Sequence, residues 1–359
     1  MSDDDLRQRC HAIFPGHRKP TPAQTFAAMA AWCESGQVAH DVYGKGDLIE
    51  QFEQKIADLL GTESAVFCIS GTMAQATALR LACAGRASRL VAMHPTAHVL
   101  RHEHANFQLL DHFQALQTGD PFRPFTVDDL RAIADPLAAV ALELPMREIG
   151  GQSPSWAQLD AIKDHCRTHA IHLHMDGARL WEAAAGFERS LRDIAAGFDS
   201  VYVSLYKGIG GLGGAMLAGR APFIAQARAW FQRQGGNVVH RSPYVVSAAM
   251  QFDARLAAMP AYLRRTEWLY RQLAAHPRLQ ANPARPQSNM LHLHLPVDAR
   301  RAAEIRDQLA REHGIWLFNH ANHAALPGHC YVEWYVGDNL LSMPDHQVRQ
   351  ALALLAAAL

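Results

Sequence analysis

Two motifs, set apart by one crossover length, constrain this chain more than any other feature. The first, HLHMDGAR at residues 172–179, is a strand-like run that delivers Asp176 to a turn. The second, SVYVSLYKGIGG at residues 200–211, is a β-rich run that delivers Lys207 to a glycine-rich turn. The interval between Asp176 and Lys207 fits one strand–helix–strand crossover. We therefore expect both side chains at the carboxyl edge of one sheet.

The pairing of these two side chains matches the needs of pyridoxal 5'-phosphate chemistry. A lysine amine forms a Schiff base with the cofactor aldehyde, and a buried carboxylate keeps the pyridine nitrogen protonated, so that the ring can accept electrons. The glycines from Gly208 onward let the backbone pass close to a bulky group. A lone lysine is usually a solvated surface charge. Together, however, Asp176 and Lys207 predict a pyridoxal phosphate site in which both are catalytic.

The motifs DGARLW and YKGIGG resemble those of the threonine aldolase group of the β-eliminating lyase family, which are fold-type I pyridoxal phosphate-dependent enzymes. The resemblance covers nearly the whole chain. It implies an aminotransferase-like large domain and a small carboxyl-terminal α+β domain. The alternation of strands and helices independently predicts an α/β fold around a mostly parallel sheet. We expect an amino-terminal arm over residues 1–22, a cofactor-binding domain over 23–250 and the small domain over 251–359.

Phosphate binding is expected at the start of a helix. A short buried strand runs into Ser70-Gly71-Thr72, and such a turn aims backbone N–H groups and a hydroxyl at an anion. An ordinary helix cap has the same composition. The position of the turn ahead of the other motifs favours phosphate binding by Gly71 and Thr72. The resemblance adds either His240 or Arg241 near the phosphate, because the alignment slips there by a residue or more.

Other site residues follow from the resemblance alone. His98 matches a histidine that stacks on the pyridine ring, and Arg179 matches an arginine that binds the substrate carboxylate. Tyr43 belongs to a DVYG loop that lies near the active site and the subunit interface. In the family, a later segment contains a glutamate and a histidine. This chain keeps the glutamate as Glu143 and has Met146 in place of the histidine, so we expect both residues at the site.

The resemblance implies retro-aldol cleavage of a β-hydroxy-α-amino acid to glycine and an aldehyde, in a homodimer or homotetramer with shared active sites. The base stays open among His98, a water molecule and His240. β-Elimination, racemisation or transamination on the same cofactor is the alternative, since fold does not decide which bond breaks. A non-catalytic cofactor-binding regulator is a remote alternative, because no basic helix precedes the core.

Three departures from the family pattern predict that threonine itself is a poor substrate. Met146 cannot act as a base or donate a hydrogen bond. By spacing, a carboxylate-binding serine of the family falls on Phe14 and a second carboxylate-binding arginine falls on Glu333. With Trp181 and Trp334 nearby, an apolar site would favour a larger or aromatic β-substituent.

Composition argues against several other kinds of partner. Lys plus Arg equals Asp plus Glu, which argues against nucleic acid and anionic membranes. The start MSDDDLRQRC is unlike a secretory signal, and no apolar run reaches the roughly 20 residues of a membrane span. The six cysteines have no CxxC spacing, so we expect a cytoplasmic protein. The HEH and HLH runs at residues 102–104 and 292–294 are more typical of ordinary hydrogen bonding than of metal binding.

Overall fold

The computed structural model describes residues 2–359, which form two compact units. The larger unit comprises Pro20–Glu148 and Ser153–Ala257. The smaller comprises residues 2–19, Ile149–Gln152 and Ala258–Leu359. The domain boundaries expected from the sequence stay predictions.

In chain order the helices are α1 (Asp3–Gln8), α2 (Pro22–Gly36), α3 (Asp47–Leu60), α4 (Gly71–Cys83), α5 (His98–His102), α6 (Asn106–Leu109), α7 (Val127–Arg131), α8 (Trp156–Thr168), α9 (Leu180–Phe187), α10 (Leu191–Ala195), α11 (Ala221–Arg233), α12 (Ser242–Leu273), α13 (Ala299–His313), α14 (Asp338–Ser342) and α15 (Asp345–Ala358), with a 3-10 helix at Arg147–Ile149. The strands are β1 (Ala12–Ile13), β2 (Ser64–Cys68), β3 (Leu90–Met93), β4 (Gln114–Gln117), β5 (Ala139–Glu143), β6 (His172–Gly177), β7 (Ser200–Ser204), β8 (Ala215–Gly219), β9 (Gln280–Asn282), β10 (Met290–Leu295), β11 (Ile315–Trp316), β12 (Ala321–His323) and β13 (Cys330–Tyr335).

The larger unit is built on a sheet of seven strands in the order β2-β8-β7-β6-β5-β3-β4. β8 is antiparallel to both of its neighbours, and the pairings from β7 through β4 are parallel. β5, β6 and β7 are buried along their whole length, as expected where helices cover both faces. The prediction of an α/β fold with a mostly parallel sheet is confirmed.

Local sequence signals explain where the helices of this unit begin. Ser70 caps α4, and its hydroxyl accepts a hydrogen bond from the Met73 amide at 3.2 Å. Ser155 and Gln158 form a reciprocal capping box at the start of α8. α4 therefore starts directly after the β2 strand end and presents Gly71 and Thr72 there.

The smaller unit has a four-stranded antiparallel sheet in the order β12-β13-β10-β9, while β1 pairs in parallel with β11. Phe14 and Trp334 are fully buried in its core with ring centroids 5.4 Å apart. The segment expected as an arm contributes α1 and β1 to this unit. Within residues 2–359, no helix is both long and apolar enough to cross a bilayer.

Candidate active site

Three neighbouring strands deliver acidic and basic side chains to one edge of the large sheet. Glu143 ends β5 and is in register with Asp176 on β6, which is in register with Tyr202 on β7. Lys207 follows the end of β7, in a turn where the Ser204 hydroxyl accepts from the Lys207 amide at 3.3 Å. Because parallel strands end at a common edge, Asp176 and Lys207 meet as the sequence predicts.

Lys207 lies in a surrounding that favours its neutral amine. Burial and then the charge of Arg179 lower the pKa of Lys207, while Asp176, Glu143 and Glu182 oppose this shift. A lysine whose pKa is lowered carries more of the neutral amine that attacks a carbonyl carbon. Lys207 is therefore suited to capture an aldehyde.

Asp176 is nearly fully buried and held by donors. Its Oδ2 accepts from Gln75 Nε2 at 2.6 Å, and its Oδ1 accepts from the Ala178 amide at 3.1 Å. Both contacts come from N–H donors, which match a carboxylate because an ionised carboxylate can only accept. Asp176 is thus suited to face a protonated ring nitrogen.

Two further buried carboxyl groups share this edge. Burial and then the charge of Asp176 raise the pKa of Glu143 to about 7, although the Arg147 amide donates to its Oε1 at 3.0 Å. Burial also raises the pKa of Glu182, whose Oε2 has no hydrogen-bond partner among the described residues. The Arg179 side chain makes no hydrogen bond or ion pair within residues 2–359, so its guanidinium is available to a carboxylate from outside.

His98 begins α5 and is oriented by an acid. Its Nδ1 lies 3.3 Å from Oε1 of the buried Glu103, which also accepts from Asn106. Burial raises the pKa of Glu103, His98 opposes the shift, and the charge of Asp176 adds to it. The carboxyl of Glu103 places the proton of a neutral His98 ring on Nδ1, which leaves Nε2 as an acceptor.

The first position of α4, Gly71, has room for a glycine but not for a residue with a Cβ. A Cβ on Gly71 would overlap the hydroxyl of Tyr202. Thr72, the next residue, is exposed, so its hydroxyl and the first amides of α4 are accessible. An anion placed here would meet N–H donors and the positive end of the helix dipole.

The other candidates for phosphate binding lie in a second group around Asp41. The Asp41 carboxylate accepts from the amides of Arg241 and Ser242 and from the Ser242 hydroxyl at 2.6–2.7 Å. The Arg241 side chain is buried and donates to Asn237, but its Nε has no partner among the described residues. Burial raises the pKa of Cys68, at the end of β2, to about 12, and the charge of Arg241 opposes this shift.

His240 and Tyr43 belong to the same group but are exposed. His240 Nδ1 lies 2.6 Å from the Asp41 carbonyl oxygen, and its ring stacks on His40 at 4.6 Å. The Tyr43 amide donates to the Val239 carbonyl at 2.8 Å, and the Tyr43 side chain is 56% exposed. The hydrogen-bond and stacking partners described for His240 and Tyr43 are loop residues. Asp176, Lys207, Arg179 and His98 instead form the group at the sheet edge.

The sequence profile of the Beta-eliminating lyase family matches residues 19–296. The chain belongs to this family. The membership expected from the DGARLW and YKGIGG motifs, and the lyase class with it, are confirmed.

Individual relatives of this β-eliminating lyase are similar to it over most of its length. Low-specificity L-threonine aldolase 1 of Arabidopsis thaliana is 24% identical over 303 residues, which cover 82% of this chain and 84% of that protein. The low specificity L-threonine aldolase of Escherichia coli K12 is 25% identical over 287 residues, covering 76% and 80%.

Solved structures extend the likeness over the full length. A protein from Listeria monocytogenes EGD-E, provisionally named an L-allo-threonine aldolase, superimposes with a TM-score of 0.92 at 34% identity and covers 99% of this chain and 98% of its own. A provisionally named aromatic amino acid β-eliminating lyase/threonine aldolase from Exiguobacterium sp. 255-15 has a TM-score of 0.92 at 38% identity, with 99% of both chains covered. The threonine aldolase of Leishmania major, at 18% identity and a TM-score of 0.75, shows the shared fold.

The tryptophans expected beside the substrate are core residues in this β-eliminating lyase. Trp181 is fully buried, donates to the Ser204 carbonyl at 2.8 Å and packs edge-on against Phe252. Its hydrogen bond therefore holds the end of β7, directly before the turn that carries Lys207. In the smaller unit, Trp334 donates to the Leu317 carbonyl at 2.7 Å and packs against Phe14.

The remaining departures are buried or paired. Met146 follows β5 and is fully buried. Glu333 lies 4.0 Å from His292 across the β10–β13 pair of the smaller unit. No group of three or more His, Cys, Asp or Glu side chains within residues 2–359 is arranged to hold a metal ion.

Sequence reasoning missed three residues of the sheet-edge group. Gln75 lies one turn into α4, and that spacing from Gly71 was its only signal. Glu182 follows Arg179 by three residues, which places both near the start of α9. Tyr202 could have been found from the strand pairing, because it stands opposite Asp176.

Proposed function

We propose that this protein is a pyridoxal 5'-phosphate-dependent lyase that cleaves the Cα–Cβ bond of a β-hydroxy-α-amino acid to glycine and an aldehyde. The observation that carries the proposal is the meeting of Lys207, Asp176 and Arg179 at one sheet edge. The chain has this arrangement within a family that includes the threonine aldolases of Arabidopsis thaliana and Escherichia coli described above.

The residues present fit pyridoxal phosphate. Gly71 leaves room under the Tyr202 hydroxyl where any Cβ would intrude, and α4 begins there. Lys207 would hold the aldehyde carbon and Asp176 the ring nitrogen. Gly71 and Thr72, with Arg241 or His240, would hold the phosphate, and Glu143 lies in register with Asp176 beside the ring position. When bound, the cofactor supplies an electron sink for the pair released from the broken bond.

The chain itself binds and orients the substrate. Arg179, which has no protein partner in the described chain, would bind the α-carboxylate through two N–H donors. The β-hydroxyl must lose a proton as the bond breaks. His98 is the base that the geometry favours, because Glu103 orients its ring and leaves Nε2 as acceptor.

The preferred substrate has a β-substituent larger than the methyl group of threonine. Met146 supports this proposal, since it stands where the family has a histidine and a thioether can neither take the β-hydroxyl proton nor donate a hydrogen bond. One lost charged contact to the substrate is worth about 1.5–3 kcal/mol, or roughly tenfold to a hundredfold in affinity. We expect phenylserine to outperform threonine.

The test is a substrate panel with the purified holoenzyme. Threonine, allo-threonine and phenylserine are offered, and glycine, aldehyde, keto acid, ammonia and inverted amino acid are measured. Equal release of glycine and aldehyde, absent in Lys207→Ala, supports the proposal. Keto acid with ammonia, or an inverted amino acid alone, would replace it with elimination or racemisation. A kcat/KM for threonine equal to the best of the panel would refute the substrate preference.

We also propose a homodimer or homotetramer with active sites shared between copies. α2 carries Phe26, Met29 and Trp32, yet none of its residues is buried, and Phe26 is 59% exposed. Exposed apolar side chains on a long helix mark a contact surface, and symmetric self-association is the common way to cover one. Light scattering of the full chain and of Phe26→Glu tests this: wild type should be oligomeric, and the variant should dissociate.

A cytoplasmic location completes the proposal. All six cysteines are free, and five of them are buried. Unpaired thiols are typical of a reducing compartment.

A further inference from the structure

A row of buried polar side chains runs from Asp176 into the core beneath the sheet edge. Gln75 Nε2 lies 2.6 Å from Asp176 Oδ2, and Gln75 Oε1 lies 3.3 Å from His174 Nε2. His174 Nδ1 lies 2.8 Å from Ser200 Oγ, which is also 2.8 Å from His172 Nε2. The five residues form one continuous hydrogen-bonded chain, which we call the Asp176 relay.

The relay occupies a face that would ordinarily be apolar. His172, His174 and Asp176 alternate along β6 and so share one face of the sheet. Ser200 stands in register with His174 on the next strand, and Gln75 reaches them from α4. Each is less than a tenth exposed, and His174 and Ser200 are fully buried. Buried polar groups are costly unless they are hydrogen-bonded, so the chain is a specific arrangement.

The chemistry of the groups gives the relay one direction. An ionised Asp176 can only accept, so Gln75 presents its amide N–H to it and its carbonyl to His174. That carbonyl requires a proton on His174 Nε2, which leaves Nδ1 to accept from the Ser200 hydroxyl. The Ser200 oxygen then accepts from His172 Nε2. Every donor points toward Asp176.

Both histidines are neutral, as this direction requires. Burial, and then the neighbouring His172, lower the pKa of His174 to about 3. Burial also lowers the pKa of His172 to about 4, against the charge of Asp199. Because both histidines are neutral, no positive charge in the relay offsets the negative charge of the Asp176 carboxylate. That charge is available to a cation on the side of Asp176 away from the relay.

We propose that Gln75, His174, Ser200 and His172 are positioning residues that lock Asp176 as an ionised acceptor and thereby hold a proton on the ring nitrogen of the cofactor. The inference rests on the proposed function, since it assigns Asp176 to that nitrogen. The key contact is His174 Nε2 with the Gln75 carbonyl. Without it the Gln75 amide is free to rotate and turn its oxygen to Asp176, which would remove the N–H donor from Asp176 Oδ2.

The first test needs no cofactor. In ¹⁵N-histidine-labelled protein, the His174 signal, assigned by its loss in His174→Phe, should report a neutral ring with hydrogen on Nε2. The ring should stay neutral as the pH falls through 6.5, the ordinary pKa of histidine. A proton on Nδ1, or a charged ring near neutral pH, would overturn the direction of the relay whether or not the protein is a lyase.

The second test uses the holoenzyme and follows the visible absorption band of bound pyridoxal phosphate against pH. The variants are His174→Phe and Gln75→Met, which keep shape but remove the hydrogen bonds. The matched control is Thr77→Val, which removes a partly buried hydrogen bond to Gln234 from the same helix outside the relay. Apart from His174, which is neutral in the wild type, the titratable groups near Asp176 are unchanged in all three variants. They are Glu103, Glu143, Tyr202, Tyr206 and Lys207.

We expect both relay variants to shift the midpoint of the band by about one pH unit and to lower kcat about tenfold, with KM for the amino acid little changed. Thr77→Val should titrate as wild type. Profiles for His174→Phe and Gln75→Met that coincide with the control would overturn the relay while leaving the proposed function intact. If one variant fails to fold, the other and the labelled wild type still decide. Wild-type protein that binds no pyridoxal phosphate would refute the proposed function and this role together.

Discussion

The carboxyl group of Glu182 lies directly against the backbone of Gly208, the residue that follows Lys207. A Cβ on Gly208 would stand 2.5 Å from the Glu182 carboxyl carbon, well inside the closest non-bonded approach. Glu182 is buried in the first turn of α9, and its pKa is raised by that burial against the charges of Arg179 and Lys207. The turn that carries Lys207 therefore packs against the carboxyl group of Glu182, and burial shifts the pKa of that group toward its neutral form.

Gly208→Ala should disrupt the site through this contact. The added methyl group must displace either the carboxyl group or the turn, so we expect pyridoxal phosphate affinity to fall at least about tenfold, with a lower unfolding temperature. Spectroscopic titration with the cofactor measures the first and calorimetry the second. Gly36→Ala is the control, because a Cβ there makes only an ordinary 3.4 Å contact with Val38. Equal behaviour of the two variants would mean that the turn yields freely.

Lys207→Ala should lose the borohydride-reducible link between pyridoxal phosphate and the chain. The expectation follows from the partly buried amine, whose lowered pKa favours attack on the aldehyde. Peptide mapping after reduction locates the label. Lys163→Ala serves as the control, since burial also lowers the pKa of Lys163 but its amine donates to the Ile194 carbonyl on α10. A label that persists at a lysine in Lys207→Ala contradicts the assignment.

The protein without cofactor should lose stability in acid through its buried histidines. Burial lowers the folded pKa of His172 from the ordinary histidine value of 6.5 to about 4, while the charge of Asp199 opposes this shift and that of Arg86 adds to it. The unfolded chain therefore binds more protons, so this stability is present above pH 6.5 and is lost as the pH falls toward about 4. His172→Gln should reduce the slope of unfolding free energy with pH by up to about 1.4 kcal/mol per pH unit. Urea titrations across that window measure it, and an unchanged slope would contradict the neutral state.

Glu143 should change the unfolding free energy with pH in the opposite direction to His172. Its folded pKa of about 7 exceeds the ordinary glutamate pKa of 4.5, so the folded protein holds the proton that the unfolded chain releases. Stability from this group therefore falls as the pH rises from 4.5 to about 7. Glu143→Gln should remove that fall and raise unfolding free energy above pH 7 relative to wild type. The same urea titrations decide, and a variant that is less stable there would show that the carboxylate is the favoured form.

Short stretches of sequence determine where several helices form and which two motifs meet at the sheet edge. α8 begins at the capping box of Ser155 and Gln158, and α3 follows the apolar spacing of Ile49, Phe52 and Ile56, because caps and apolar spacing act within a few turns. The meeting of Asp176 and Lys207 was equally predictable, since one crossover places successive parallel strands side by side. The family follows from the same two motifs.

Contacts between elements distant in the chain were decided only by the tertiary structure. Gln75 reaches Asp176 because α4 covers that face of β6, and nothing local to either residue specifies this packing. Trp181 turned into the core because α9 packs that side against Phe252. The polarity of the relay likewise depends on His174 and Ser200 meeting across two strands. Periodicity and capping act over a few residues and determine elements, whereas hydrogen-bond partners depend on which surfaces the whole chain buries together.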